Sequence, residues 1–395
     1  MPSRISLFIL VAAVFTAADA GAQARMELVP SVSFSTTYDD NIFTTQEGSG
    51  DAMMLVTPAF EAFYESPKTT FRGLFNFDMQ RALGYSTLNS LDAKRHAMIN
   101  TAVQINPQFR LSLVGRYDVS DRPGDLMFDT GVLLGRQRAR RYQLTPALSY
   151  RIRTRTILTA QYDATKEMLG ADMQGDMFIA RFGVSRMQTT RDVWSINYLG
   201  RTFASGADMF NPAATERSHA VLLGYNRAVG VGTNFSVQGG PRSSSYGNNK
   251  PELLANFSKQ LRAGRFGLDY WQGETIIMGI RGPVDIQSAS LKSSWPIRRN
   301  IELGAHAGVF NSQTLFQGHA RVFHPELVLS YSPGGSYVIA GSYGIDFQKG
   351  DVRSEFLSDR EIVRHVLKVS VTFAPRLSRI RPADPNDPRS KGVFR

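Results

Sequence analysis

The last alternating run of the sequence is His365-Val366-Leu367-Lys368-Val369-Ser370-Val371-Thr372-Phe373. Successive side chains of a β-strand point to opposite faces, so the apolar residues of this run share one face and the polar residues share the other. Similar runs, each about ten residues long, recur between residues 27 and 373 with almost no helical periodicity between them. The pattern predicts many strands that each have one apolar and one polar face.

Short and long connections alternate between these predicted strands. Eight are short and rich in Pro, Gly and Asn, such as Asn106-Pro107-Gln108, and nine are longer, such as 39–50 and 121–135. Together they require 18 strands, and an even number places both termini on the periplasmic side. The sequence therefore predicts an all-β fold, a transmembrane antiparallel β-barrel of about 18 strands in the bacterial cell outer membrane. The range is about 16–20, because a missed hairpin changes the count by two.

The two ends of the chain differ from this pattern. Arg4 precedes the apolar stretch 5–18, and small residues follow at positions 18, 20, 22 and 24. We expect residues 1–24 to be a cleaved signal peptide and residues 25–373 to form the barrel. Residues 374–395 are rich in Pro and basic residues, and we expect a disordered periplasmic tail there.

The composition excludes several classes of function. The 395 residues include no cysteine, which excludes a disulfide scaffold and any thiolate nucleophile or metal ligand. The formal net charge is +11, but the basic residues are spread over strands without a nucleic-acid-binding motif, so we expect no nucleic acid as a partner. A large soluble sandwich is the alternative fold, which the signal-like N-terminus and the aromatic residues on the predicted outer face disfavour.

Nothing in the sequence predicts an enzyme. The six histidines are His96, His219, His306, His319, His324 and His365. None lies in a Ser-containing motif of the kind that activates a nucleophile. His319 and His324 are an odd number of positions apart, which places them on opposite faces of a strand. We therefore expect no catalytic residue, no cofactor and no metal ion.

The first predicted strand runs into the segment Tyr38, Asp39, Asp40, Asn41, Ile42 and Phe43. This segment resembles the outer-membrane β-barrel family that is associated with bacterial exopolysaccharide and capsule biosynthesis, the β-barrel porin 2 type. The resemblance in sequence is confined to this segment. It implies passage of a polysaccharide cargo across the outer membrane, with periplasmic polysaccharide-export proteins as partners. From the residues alone, we expect the polar side chains of the segment to cap the turn, with calcium binding as the alternative.

Arginines recur on the polar parity of the first nine predicted strands. This lumen-facing basic ladder consists of Arg72, Arg110, Arg116, Arg141, Arg151, Arg155, Arg181 and Arg201. A guanidinium group stays charged and donates planar, bidentate hydrogen bonds, so the ladder favours anionic solutes. The alternative is that these charges pair with inward acids on neighbouring strands and only brace the wall. The sequence leaves the two readings equally open.

The terminal strand carries the signal by which barrels are assembled. Outer-membrane barrels commonly end in a strand with a terminal aromatic residue, and here the outward face would consist of Leu367, Val369, Val371 and Phe373. The tail that follows departs from the common pattern. We expect the barrel-assembly machinery, outer-membrane lipid and lipopolysaccharide to be partners.

Three functions fit these observations. The first is an outer-membrane channel for export of an exopolysaccharide, anionic in view of the basic ladder. The alternative is a general or anion-selective diffusion porin, and an alternative of another class is a structural or receptor barrel with a filled lumen. A long loop folded into the lumen, 121–135 or 39–50, would favour selective uptake, and a clear wide lumen would favour polymer passage.

Overall fold

One antiparallel sheet of 18 strands closes on itself in the computed structural model. The structure describes residues 25–127, 129–170, 173–206, 213–247, 249–314, 318–334, 336–352 and 360–375. Each strand pairs with its neighbours in sequence, and the first strand pairs with both the second and the last. The predicted barrel of about 18 strands is confirmed. The predicted signal peptide and residues 376–395 of the predicted tail lie outside the described residues.

The strands have the following bounds: β1 Arg25–Asp39, β2 Asp51–Glu65, β3 Thr69–Ala82, β4 Ser90–Asn106, β5 Phe109–Ser120, β6 Ala139–Arg153, β7 Thr156–Leu169, β8 Met173–Met187, β9 Asp192–Ser205, β10 Ala214–Gly230, β11 Thr233–Ser244, β12 Pro251–Leu261, β13 Gly264–Thr275, β14 Val284–Arg298, β15 Ile301–Thr314, β16 His319–Tyr331, β17 Tyr337–Asp351 and β18 Glu361–Phe373. Short 3₁₀ turns occupy Ser86–Leu88 and Pro123–Leu126. In the ranges that the structure describes, no helix is long and apolar enough to cross a membrane.

The two ends of the barrel differ in their connections. All neighbouring strands are antiparallel and their number is even, so the start of β1 and the end of β18 lie at the same end. The short connections, such as 66–68 and 107–108, join strands at that end. The long connections, such as 40–50 and 121–138, join strands at the opposite end. In outer-membrane barrels these ends face the periplasm and the cell exterior, respectively.

The outer surface of the wall is apolar. On β1, the buried Ser35 and Thr37 alternate with Phe34 and Tyr38, which are 56% and 51% exposed. Phe75 and Leu111 are likewise exposed on the parity that the sequence assigns to lipid. Because a closed barrel pairs the backbone groups of every strand, it can cross a bilayer without an exposed sheet edge. The protein is therefore an outer-membrane β-barrel.

The largest apolar cluster lies at the extracellular mouth and includes residues of two loops. We call residues 121–138, between β5 and β6, the mouth loop, and residues 276–283, between β13 and β14, the second loop. The cluster contains Leu126, Met127, Val132, Leu134, Ala139, Leu169, Ile277, Met278, Val284, Ile286, Phe310, Ala320, Val322 and Val352. Since β14 is nine strands from β5 around the 18-stranded sheet, the mouth loop reaches the opposite wall. The mouth loop therefore crosses the lumen at its extracellular end.

Candidate functional site

The mouth loop contains a tight turn, and its apolar side chains pack against residues of the barrel strands. Pro123 begins a 3₁₀ turn that ends at Leu126, and a proline suits the first position of a helical turn because its φ is fixed there. Gly131 has a φ of +62°, which favours glycine. A Cβ atom at Gly131 would lie 2.6 Å from the ring of Phe310 on β15. The loop therefore approaches the far wall as closely as a glycine permits.

Three side chains hold the backbone of the mouth loop from three parts of the barrel. Gln348 on β17 accepts a hydrogen bond from the N–H of Leu133 at 2.7 Å. Thr44, in the loop between β1 and β2, donates to the carbonyl of Leu134 at 2.9 Å. Arg141 on β6 donates to the carbonyl of Leu126 at 2.8 Å. Buried backbone groups that are paired in this way cost free energy to release, so these hydrogen bonds favour the observed position of the loop.

A buried charge network fixes the start of the mouth loop. Arg122 pairs with Asp39 on β1 at 2.8 Å, and Arg364 on β18 donates to the same carboxylate at 3.0 Å. Arg364 also pairs with Asp346 on β17 at 3.2 Å. The side chain of Asp39 is fully buried, so these charges interact with little screening by solvent. The network joins the loop to three strands around the closing seam of the barrel.

A carboxylate of the mouth loop itself, Asp125, is held ionised. Asp125 lies 3.5 Å from the ammonium group of Lys94 on β4 and accepts a hydrogen bond from Ser120. Burial by itself would raise the pKa of Asp125, but Lys94, Arg122 and Arg364 lower it to about 2. Asp125 therefore carries its negative charge at neutral pH and attracts the cations of the wall.

The segment 38–43 forms the caps that the sequence predicts and also takes part in the network. Asp39 accepts a hydrogen bond from the N–H of Asn41 at 3.1 Å, and Asn41 accepts one from the N–H of Thr45 at 2.9 Å. Asp40 accepts a hydrogen bond from the N–H of His365 on β18 at 2.6 Å. Ile42 is buried in a small cluster at the mouth. Through the hydrogen bond of Asp40, the segment therefore links the end of β1 to β18 at the extracellular end of the barrel.

Members of the basic ladder divide into two groups. Arg72, Arg141 and Arg201 pair with acidic residues on adjacent or nearby strands, namely Glu61, Glu167 and Glu252 respectively. Arg110 and Arg151 are exposed, Arg116 and Arg181 are half-buried, and none of these four forms an ion pair among the described residues. Each of the four occupies the inward parity of its strand, on β5, β6 or β8. The bracing interpretation fits the first group and does not account for the second.

Arg155 departs from the ladder. The sequence places it on the polar parity of a strand, but β6 ends at Arg153 and β7 begins at Thr156. Arg155 lies in the turn between them, where its carbonyl accepts a hydrogen bond from the N–H of Met187. The prediction of a strand position was wrong because the Arg153-to-Thr156 turn consists of residues that also suit a strand end.

The lumen below the two loops is accessible to water. Asn100, Asn256, Ser258, Lys292 and Lys368 are exposed and occupy inward positions on strands around the barrel. Polar side chains at such positions suit a water-filled lumen. The loops therefore cover one end of a lumen that is lined by polar side chains.

The terminal strand has its apolar residues on the outside. Leu367, Val369, Val371 and Phe373 are each between 42% and 51% exposed. Phe373 pairs with Val32 on β1, and its ring lies 5.9 Å from that of Tyr337 on β17. Recognition of this strand by the barrel-assembly machinery stays a prediction.

Sequence reasoning placed the second loop but missed its burial at the mouth, and it also missed Arg122, Gln348 and Arg364. The signal that would have revealed both loops is apolar composition in a connection. Among the described residues, the mouth loop contains five large apolar side chains, those of Leu126, Met127, Val132, Leu133 and Leu134. The second loop contains Ile276, Ile277 and Met278, and all eight of these side chains are buried. Loops exposed to solvent seldom contain such clusters, so these sequences indicate burial against another part of the chain.

An apolar outer belt, a lumen lined by exposed polar side chains and a loop across the mouth together define an outer-membrane β-barrel with one covered end. The fold is similar to that of the outer membrane channel DcaP of Acinetobacter baumannii, with 12% identity, a TM-score of 0.44, and coverage of 90% of this chain and 98% of that chain. It is also similar to Pseudomonas aeruginosa OpdK with vanillate, with 10% identity, a TM-score of 0.48, and coverage of 88% and 98%. For Pseudomonas aeruginosa OpdH the identity is 13%, the TM-score 0.45, and the coverage 88% and 98%. No protein-family model and no curated protein matches the chain.

Proposed function

We propose that the protein is a selective channel for small anionic solutes. The observation that supports this most directly is the mouth loop, which crosses the lumen and is fixed by an apolar cluster, backbone hydrogen bonds and buried charges. A hydrated polymer chain needs a continuous wide opening, whereas a small solute can pass beside a fixed loop. Loops folded into a barrel narrow its opening and make it selective.

The second group of arginines supports the anionic character of the solute. Arg110, Arg116, Arg151 and Arg181 lie on the inward parity of β5, β6 and β8, and no ion pair neutralises them within the described ranges. Guanidinium groups offer paired N–H donors that match the geometry of a carboxylate. A carboxylate solute passing along this wall would exchange hydrogen bonds with water for hydrogen bonds with arginine.

Export of an exopolysaccharide is the second candidate, and the resemblance of Tyr38–Phe43 is the observation that favours it. Polysaccharide export would require the mouth loop to leave the lumen. Its expected partners are periplasmic polysaccharide-export proteins. The receptor or structural alternative requires a lumen without a conducting path. In all three cases no covalent chemistry and no enzymatic step is expected.

Planar-bilayer recording separates the three candidates. We expect wild-type barrels to conduct a small, steady current with preference for anions. Replacement of residues 123–134 by a short Gly-Ser linker should raise the conductance severalfold, because the constriction is removed. A matched variant with the same linker in place of residues 245–249, within the loop between β11 and β12, should conduct like the wild type.

Three results would contradict the proposal. Absence of any current from folded wild-type barrels would favour the filled-lumen alternative. Equal conductance with and without the mouth loop would show that the loop does not limit passage. Loss of a secreted polysaccharide on gene deletion, together with wild-type export by the loop-deleted barrel, would favour polymer export.

A further inference from the structure

Two histidines and a glutamate converge on the lumen wall. His306 on β15 pairs directly with Glu326 on β16, and His324 on β16 pairs with Gly308 on β15, one inward position higher. A potential ligand atom from each of the three side chains lies within 4.8 Å of the others. All three are half-buried and occupy the same inward parity as Phe310 and Val322 of the mouth cluster.

One of the two imidazole rings is already oriented by a carboxylate. The Nδ1 atom of His324 is hydrogen-bonded to Asp346 on β17, and an ionised carboxylate can only accept, so Nδ1 carries the proton. In the neutral form of the ring, the other nitrogen, Nε2, is then the one that can bind a metal ion. Arg364 pairs with the second oxygen of Asp346 at 3.2 Å. A carboxylate that fixes the tautomer and ring direction of a histidine in this way is typical of metal sites in proteins.

The cluster lies directly below the mouth loop. A Cβ atom at Gly308 would lie 2.6 Å from the ring of Phe310. Because Gly308 is the residue paired with His324, the Phe310 ring lies directly above the position of His324. The same ring contacts Gly131 of the mouth loop. A ligand bound by the cluster would therefore sit under the constriction, on the side of the lumen that water reaches.

We propose that His306, His324 and Glu326 bind a divalent transition-metal ion, with the remaining coordination positions open to the lumen. Two imidazoles and one carboxylate suit Zn²⁺, Co²⁺ or Ni²⁺, whereas Ca²⁺ and Mg²⁺ prefer oxygen ligands alone. Metal–nitrogen bonds of about 2.0–2.1 Å require ligand atoms about 3.3 Å apart in a tetrahedral site. Small side-chain rotations would bring the three atoms to that distance, and a water molecule or an anionic solute would complete the coordination.

The charged groups around the cluster permit a cation. Lys292 on β14 faces His306 and pairs with Asp269 on β13 at 3.7 Å. Arg364 is paired with Asp39 and Asp346. The nearby acids, Asp269, Glu326 and Asp346, outnumber these two cations, so an added divalent ion meets a net negative environment.

The sequence did not reveal this cluster because its members are distant along the chain. The only pair considered there, His319 and His324, lies on opposite parities of β16, as expected. His306 and Glu326 come together only through the register of β15 and β16.

Metal binding by the purified barrel tests the proposal directly. Protein without a histidine tag is titrated in detergent with CoCl₂, followed by visible absorption, and with ZnCl₂, followed by calorimetry. We expect one ion per barrel, with affinity lowered at least about tenfold in His306→Ala, His324→Ala and Glu326→Gln. Asp346→Asn, a positioning change, should weaken binding by about tenfold while one ion still binds.

A control histidine and a second readout keep the test specific. His319→Ala should bind Co²⁺ like the wild type, because His319 faces outward and is hydrogen-bonded to Asn311. In planar bilayers ZnCl₂ should lower the wild-type conductance, reversibly with EDTA, and leave His306→Ala unaffected. Wild-type protein that binds no Co²⁺ or Zn²⁺, or a folded His306→Ala/His324→Ala variant that binds as the wild type does, would overturn the proposal. A barrel that conducts anions but binds no metal would leave the proposed channel function intact.

Discussion

Arg122 in the mouth loop lies 2.8 Å from Asp39 on β1, measured from Nη1 to Oδ2. The same carboxylate accepts a hydrogen bond from Arg364 on β18 at 3.0 Å. Since β1 and β18 are the first and last strands of the sheet, this carboxylate sits at the seam where the barrel closes. The position of the mouth loop is therefore coupled to the closure of the barrel.

Replacement Asp39→Asn should destabilise the barrel and loosen the mouth loop. Two guanidinium groups would lose a shared buried counter-charge, and removal of one partner of a buried pair costs about 3–5 kcal/mol. The measurement is urea unfolding of the protein in lipid vesicles, with single-channel noise recorded in parallel. Glu361→Gln is the control, because the exposed pair of Glu361 with Lys349 should contribute little. An unchanged unfolding midpoint in Asp39→Asn would show that the network does not stabilise the barrel.

Replacement Gly131→Ala should displace the mouth loop and raise the conductance. The new Cβ would lie 2.6 Å from the ring of Phe310, and the φ of +62° is unfavourable for alanine. The second change Phe310→Ala makes room for the Cβ, so the double variant should recover part of the wild-type behaviour. Gly135→Ala is the control, because a Cβ there would meet no atom within 4 Å. Wild-type conductance of Gly131→Ala would mean that this contact does not position the loop.

Protonation of Asp125 should loosen the mouth loop only at strongly acidic pH. Lys94, Arg122 and Arg364 outweigh the effect of burial and lower the pKa of Asp125 from 3.8 to about 2. A lowered pKa means that the ionised form is favoured in the folded loop. The contribution of Asp125 is therefore complete above its ordinary pKa and is lost as the pH falls through about 2.

The part of the conductance that depends on Asp125 should accordingly stay constant from neutral pH to about pH 4 and change below it. Asp125→Asn should already show increased conductance at neutral pH, with less change on acidification. Equal pH profiles for the wild type and Asp125→Asn would assign the acid response to other carboxylates.

The wall of the barrel could be predicted from the sequence because its signal is local. A residue such as Val369 has apolar neighbours two positions away on either side, and that alternation decides which face it occupies. The short turns and the strand number follow from the same local pattern. The observed exposure of Phe75 and Val369 agrees with the parity that alternation assigns.

The interior of the mouth could not be predicted in the same way, because its contacts join distant parts of the chain. Leu133 and Gln348 are 215 positions apart, and Asp39 and Arg364 are 325 positions apart. No periodicity relates such residues. The apolar composition of the mouth loop indicates burial, but only the register of the closed sheet brings Phe310 against Gly131.

Substitutions by arginine on the two faces of β18 should differ in cost. Val369→Arg places a charge on the exposed apolar outer face, where arginine near the bilayer midplane costs about 2–4 kcal/mol. Ser370→Arg places the same charge on the inward parity, where water solvates it. Phe75→Arg and Asn76→Arg repeat the comparison on β3. The readout is the folded fraction after refolding into vesicles, and equal folding on both parities would contradict the assignment of faces.

The four members of the basic ladder that form no ion pair among the described residues should set the preference for anions. Replacing Arg110, Arg116, Arg151 and Arg181 by Gln retains hydrogen bonding but removes four positive charges from the inner wall. The reversal potential under a KCl gradient should move toward that of a non-selective pore, while heat-modifiable migration in SDS remains. Arg186→Gln is the control, because Arg186 on β8 pairs with the exposed, outward Trp194.

In the wild type, anion preference should fall as salt approaches 1 M, where the Debye length is about 3 Å. Because Arg72, Arg141 and Arg201 are paired with acids, their replacement by Gln should disturb folding more than selectivity. An unchanged reversal potential in the quadruple variant would assign the selectivity, and with it the proposed anionic solute, to another part of the lumen.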